Sequence, residues 1–225
     1  MDFILPTPNS VSFSVQVFKM MQHDFLPEGV LVIVTDPFGG FLAQLEIAMI
    51  LAFIFTFPLF IYQIIRYISP ALFKHEKTAI LKSVTLSSAL FLLGNIFAYF
   101  YMIPLTFRFM YPFTTSLGVT PFFLLDIFIS WAICSLIATG VIFLIPVFMV
   151  VLSYLGLVSP DFWKNKWQQA FLLLLIFSAL ITPDQTGFTM VLLFVPLAFL
   201  YIFGLILTRK FKVNDIHIEI DQSTE

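Results

Sequence analysis

Charge is what this chain has least of. Only 11% of its 225 residues are Asp, Glu, Lys or Arg, against about 25% in soluble domains. With 60% hydrophobic residues and a mean hydropathy of +1.02, the chain has too little polar surface to cover a water-soluble globule, and far too much apolar content for disorder. Cysteine is nearly absent as well: Cys134 stands alone, which excludes an intrachain disulfide and leaves a small buried or lipid-facing residue in an apolar run. The net charge is only −2, so nucleic acid is not an expected partner. The opening Met-Asp-Phe-Ile-Leu-Pro shows no basic stretch leading into an apolar run, and no cleavable signal peptide is expected. A Gly-rich phosphate loop, a His-Glu-x-x-His and a Cys pair are all missing, and His23, His75 and His217 fall in separate segments. No catalytic residue, metal site or cofactor is expected.

What the chain does have is long, continuous apolar runs, which mean α-helices in a membrane rather than the short alternating strands of a barrel. Five segments are predicted: about Phe41–Ile65, Ser83–Ile103, Asp126–Leu155, Gln169–Ile181 and Phe188–Leu207. The fourth, at roughly 20 Å, is short for about 30 Å of hydrocarbon. The expected fold is an all-α, polytopic helix bundle. Its domain plan is an amphipathic segment over 1–40, a transmembrane bundle over 41–207, and a disordered tail over 208–225. In the first of these, Ser10 is a candidate cap for a helix holding Val17, Phe18 and Met21, while the alternation of Val11, Phe13, Val15 and Val17 equally fits a strand.

Basic residues set the expected orientation. Arg66, Lys74, Lys77, Lys82, Lys164, Lys166, Arg209, Lys210 and Lys212 fall on one side, and only Lys19 and Arg108 on the other. The positive-inside rule then places the C-terminus in the cytoplasm and the N-terminal segment outside, as a cap on the bundle in a plasma-type membrane. Pro58, Pro146 and Pro196 lie inside segments and should kink them, giving a concave face suited to a partner helix. Glu46 and Asp126 sit near segment ends, and no Asp, Glu, Lys or Arg lies at mid-depth. With no internal repeat either, a small-solute transporter is a remote alternative. In the loop after the first segment, Glu76 is the sole acid. Two readings stand for it: an interfacial carboxylate for a guanidinium, or an ordinary salt bridge to Lys74, Lys77 or Lys82.

The stretch Pro58-x4-Gln63-x3-Tyr67-Ile68-Ser69-Pro70-Ala71-Leu72-Phe73-Lys74-His75-Glu76 resembles the first cytoplasmic loop of TatC, the multispanning subunit of the twin-arginine translocase. Gly94-x2-Phe97-Ala98-Tyr99 with Pro104-Leu105, Gly140-Val141-x-Phe143-x2-Pro146-Val147, Gly156-Leu157-Val158-Ser159-Pro160 and Ile181-Thr182-Pro183-Asp184 with Pro196 continue the likeness in order. The resemblance implies a non-enzymatic subunit that binds twin-arginine signal peptides of folded cargo. It also implies assembly with single-span TatA and TatB partners, and with further copies of itself, in the bilayer. It assigns Glu76, Tyr67, Pro70, Leu72 and Lys74 to the signal peptide, and Leu144, Phe143, Pro146, Thr182 and Gln185 to partner helices. The chain departs from the family pattern in three respects. Five segments stand where the family has six, so a truncated or divergent member is expected. The family's mid-span acid falls at Leu144. Another falls at about Ile202. These departures keep a second reading open: a scaffold or degenerate paralogue that binds helices without reading signals.

Overall fold

The computed structural model describes residues 12–27, 30–72, 77–118, 122–154, 157–181 and 187–222, with backbone alone over 68–72, 77–82, 154 and 210–222. Helix α1 (Phe13–Phe25) is followed by a short strand β1 (Leu31–Ile33). Helix α2 (Gly39–Leu72) is the first apolar segment. Helix α3 (Lys77–Phe97) passes through a π-helical turn (Ala98–Met102) into α4 (Ile103–Thr115). Strand β2 (Phe122–Leu124) precedes α5 (Leu125–Ile142) and α6 (Ile145–Tyr154). The short α7 (Pro160–Asn165), α8 (Trp167–Ile181) and α9 (Phe188–Gln222) complete the chain. Among the described residues, four stretches are long and apolar enough to cross a membrane: Gly39–Tyr67, Ser83–Thr115, Leu125–Ser153 and Phe188–Arg209; α8 is shorter.

Side-chain contacts fix the antiparallel register. Phe57 stacks on Phe91 with ring centroids 3.5 Å apart. The Thr139 hydroxyl approaches Met102 Sδ at 3.5 Å, and Phe107 meets Trp131 edge-on at 5.2 Å. At the same end Phe109 stacks on Phe188 at 4.3 Å, so α9 also runs against α3–α4. The far end is tied by Trp163 Nε1 donating to Ser153 Oγ at 3.0 Å and Tyr201 Oη donating to the Trp163 carbonyl at 2.7 Å. Trp131 and Ser153 are thus separated by about 33 Å of helix, close to one hydrocarbon thickness. Indole rings mark both levels, as they do at membrane interfaces.

The second segment outruns its expected end near Ile103. Pro104 reads as a breaker because it cannot donate to the preceding turn. Instead the helix widens just before it, with the Ile103 amide reaching back five residues to the Ala98 carbonyl, and continues to Thr115. Gly118, at φ +73°, then turns the chain. Pro146 coincides with a true break: the Leu144 amide bonds the Val141 carbonyl, separating α5 from α6. At Pro58 and Pro196 the helices run through. The Thr56 hydroxyl donates to the Ala52 carbonyl at 2.7 Å, close to the turn that Pro58 disturbs.

Residues 13–25 form a helix, not a strand, beginning one residue after Ser12; Ser10 lies outside the described residues. Phe25 is fully buried, with its ring 4.8 Å from Tyr99 and 6.3 Å from Phe128. The apolar run near Val30 forms β1, which pairs in parallel with β2, Leu31 opposite Phe122. The backbone of α9 is helical to Gln222, where a disordered tail had been expected from 208; no glycine or proline interrupts 205–222.

Two glycines decide how closely the second and third segments approach. A Cβ on Gly94 would lie 3.0 Å from Gly140 Cα and 2.9 Å from Phe143 Cγ; one on Gly140 would lie 2.6 Å from Asn95 Nδ2 and 2.7 Å from Phe91 Cε2. In lipid no hydrophobic force favours one helix over a lipid tail, so close backbone packing supplies the association. Gly140→Val should therefore cost about 2–3 kcal/mol and lower the melting temperature of the detergent-solubilised protein. Gly40→Ala, where nothing lies within 4 Å, should leave it unchanged. Equal melting temperatures for the two variants would contradict the packing described.

Candidate signal-peptide and partner-helix sites

The peptide patch implied by the resemblance lies at the C-terminal end of α2. Tyr67 is 88% exposed. Pro70 and Leu72 fall in the last turn of α2; Lys74 and Glu76 lie outside the described residues, immediately before α3. The register brings this end of the bundle level with Trp163 and with Lys164 and Lys166, both exposed. Arg66 is exposed on the same end. Ser159 builds the neighbouring turn, its side chain capping α7 by accepting from the Phe162 amide at 3.2 Å, with Pro160 at the first helical position.

Of the residues assigned to partner helices, Phe143 and Pro146 are buried against the chain's own helices. Phe143 stacks on Phe97 at 5.8 Å, and Pro146 Cα lies 3.1 Å from where a Cβ on Gly204 would stand. Leu144 is half-buried, in the break between α5 and α6. Thr182 and Gln185 lie outside the described residues. The structure brings forward a surface that residue patterns alone did not single out. Phe188, Leu192, Val195, Pro196 and Phe199 of α9 face Phe97 across an apolar groove of about 480 Å3. Val191, Val195 and Phe199, spaced four apart, are each about half exposed or more. That spacing on one helix face was legible in the sequence, but its pairing with Phe97 depends on the register.

At the opposite end Glu46 accepts from the Ser130 hydroxyl at 3.0 Å, joining α2 to α5. Asp36, Glu46 and Asp126 line a small cleft of about 120 Å3 there. The Asp24 carboxylate accepts from Tyr99 Oη at 2.8 Å and lies 3.1 Å from His23 Nδ1. These two hydrogen bonds, His23 first and then Tyr99, hold its carboxyl below the usual carboxylate range.

The family described as "Sec-independent protein translocase protein (TatC)" matches residues 4–196. The chain belongs to the TatC family. The TatC of Aquifex aeolicus (strain VF5) is 31% identical over 218 residues, covering 93% of this chain and 90% of the relative. That of Escherichia coli (strain K12) is 31% identical over 184 residues, covering 82% and 70%. The crystal structure of the twin arginine translocase receptor TatC in DDM superposes with a TM-score of 0.76 at 31% identity, covering 87% of this chain and 88% of that one. As a TatC subunit, the protein is a multi-pass membrane component of the twin-arginine translocation system, and its helical bundle is the TatC fold.

In this TatC chain the Asp24 contact ties α1 to the second segment. A carboxyl with a depressed folded-state pKa stabilises the fold fully above its unfolded value, about 3.9, and loses that contribution as pH falls through the folded value. Between pH 6 and pH 3 the melting temperature of the wild-type protein should therefore fall more than that of Asp24→Asn. Parallel melting curves for the two would remove this contact as an anchor.

Proposed function

We propose that this TatC subunit receives twin-arginine signal peptides at its cytoplasmic face, with Glu76 gripping the arginine pair and Tyr67, Pro70, Leu72 and Lys74 completing the patch. The observation that carries the reading is the exposed end of α2. Tyr67 is almost fully open, and the chain there runs through the family's Ser-Pro-Ala-Leu-Phe-Lys-His-Glu motif, on a bundle shared with a protein described as a twin-arginine translocase receptor. Arginine stays protonated and presents a planar fork that a carboxylate accepts in two bonds; the lowered dielectric of an interface strengthens that contact relative to bulk water. Nine of the eleven basic residues favour this face as the cytoplasmic one. The membrane is then the plasma-type membrane, the N-terminal segment through 40 caps its outer side, and no chemical step is catalysed.

The apolar groove between Phe97 and α9 is the proposed seat for a single-span TatA- or TatB-type helix, with Leu144, Phe143, Pro146, Thr182 and Gln185 belonging to the same partner-binding region. Phe143 supports it from behind, through its stack on Phe97. A scaffold reading, in which the chain binds helices without reading signals, is favoured by one observation: Leu144 stands at the break between α5 and α6, where the family carries an acid.

A photo-crosslinker beside Glu76 should capture a twin-arginine peptide at least tenfold better than its twin-lysine counterpart, and Glu76→Ala should abolish export of folded cargo by the assembled translocase. Equal capture of both peptides, with export intact in Glu76→Ala, would select the scaffold. For the groove, a cysteine at Val195 in a Cys134→Ser background should crosslink to a single-span partner, while one at Met49, 63% exposed on α2, should not. Equal crosslinking at the two positions would refute the groove as the seat.

A further inference from the structure

Lys19 and Arg108, the two basic residues that the charge pattern leaves on the face opposite the other nine, meet at one place. Together with Gln22, His23 and Pro27 they line an open cleft of about 600 Å3 between α1 and α4. We propose that this cleft holds the phosphate of an anionic phospholipid headgroup.

Chemistry, level and shape support this occupant. Both cations are exposed, and neither forms an ion pair with a described residue. The nearby carboxylate, Asp24, is turned to Tyr99 and His23. Two like charges at one cleft favour an anion between them, and a phosphodiester accepts from both an ammonium and a guanidinium. The level is that of a headgroup. Arg108 follows Phe107, whose ring packs on Trp131, the residue that marks one end of the roughly 33 Å between interfaces. Long basic side chains at that depth extend toward the phosphates. The shape suits a lipid rather than a free ion. Leu26, Pro27 and Val30 give the cleft an apolar side, and Phe100 and Tyr101, 62% and 58% exposed, lie about 10 Å lower on the same helical segment, where acyl chains would run.

The test is native mass spectrometry of the intact protein from nanodiscs of phosphatidylcholine containing phosphatidylglycerol, with retained lipid counted by headgroup. The wild-type protein should retain phosphatidylglycerol in preference to phosphatidylcholine. Each of Lys19→Gln and Arg108→Gln should weaken the preference roughly fivefold, and the pair should abolish it. Arg108→Lys, which keeps the charge, should retain most of it. Lys164→Gln with Lys166→Gln, on the other face, should leave it intact. Inorganic phosphate at millimolar concentration should not displace the lipid; if it does, the site binds free phosphate and the proposal fails. It fails equally if the double variant keeps the wild-type preference, or if the Lys164 and Lys166 variants lose as much. Should the double variant not fold, the two single variants carry the same decision.

Discussion

The backbone contact between Gly94 and Gly140 is the constraint from which the rest of the bundle hangs. A methyl group on either residue would collide with the opposing helix, so the second and third segments come closer than a side chain at either position would permit. That closeness sets their register. Below it Phe143 fills the space beside Phe97; above it Met102 meets Thr139 and Phe107 meets Trp131. One core then forms on each side of the crossing. Met21, Phe25, Ile47 and Phe128 gather where α1 and α2 join the pair. Met149, Leu174, Leu193 and Tyr201 gather where α6, α8 and α9 join it. Neither core gains hydrophobic free energy over lipid contact, so both depend on fit, and fit depends on the crossing.

The bilayer sets a second demand, that polar groups find partners within the protein. Most hydroxyls meet it within their own helix. Ser87, Thr106 and Ser178 each donate to the carbonyl four residues back, at 2.8, 2.8 and 2.9 Å, which costs the helix little and needs no neighbour. Asn95 differs. Its amide nitrogen bonds the Phe91 carbonyl at 2.9 Å, but Oδ1 is buried without a hydrogen-bond partner among the described residues. It stands beside the Gly94–Gly140 contact, where the tight approach leaves no room for a second polar group. Close packing at the crossing outweighs one unsatisfied acceptor.

The apolar segments and their order were legible because hydropathy needs no tertiary information. Four of the five expected segments agree to within two residues with the apolar stretches Gly39–Tyr67, Leu125–Ser153 and Phe188–Arg209 and with Trp167–Ile181; the second did not, because Pro104 looked like a terminus. Whether a proline ends a helix depends on whether the turn before it can widen, and the π-helical turn at 98–102 does so. The Ser159-Pro160 start of α7 rests on capping, which is local chemistry, yet in the sequence these residues stood out only through their likeness to the family. The groove beside Phe97 was not, because it needs Phe188, Val195 and Phe199 to face a residue some 90 positions earlier, and periodicity says nothing of which helix lies opposite. The meeting of Lys19 and Arg108 was hidden for the same reason: one is on a cap helix, the other near the end of a span.

The absence of Asp, Glu, Lys and Arg at mid-depth gives these surfaces a common logic. In the proposed docking, a partner helix would meet the groove, whose lining is wholly apolar, through shape and dispersion, worth only about 0.1–0.2 kcal/mol per atom pair, so its affinity would come from length of contact along α9. Charge is kept for the two interfaces, where water and headgroups lower the cost of desolvation. At the end that bears nine of the eleven basic residues the proposed peptide contact is the Glu76 carboxylate; at the other, two cations stand beside a carboxylate already engaged by Tyr99. In the proposed recognition, a peptide bearing two arginines and an apolar run, entering from the cationic side, meets Glu76, the one acid between Arg66 and Lys82, before its apolar segment packs along the bundle. The order of events in the proposed recognition follows from that placement: electrostatic capture at the surface comes first, and apolar docking against the bundle second.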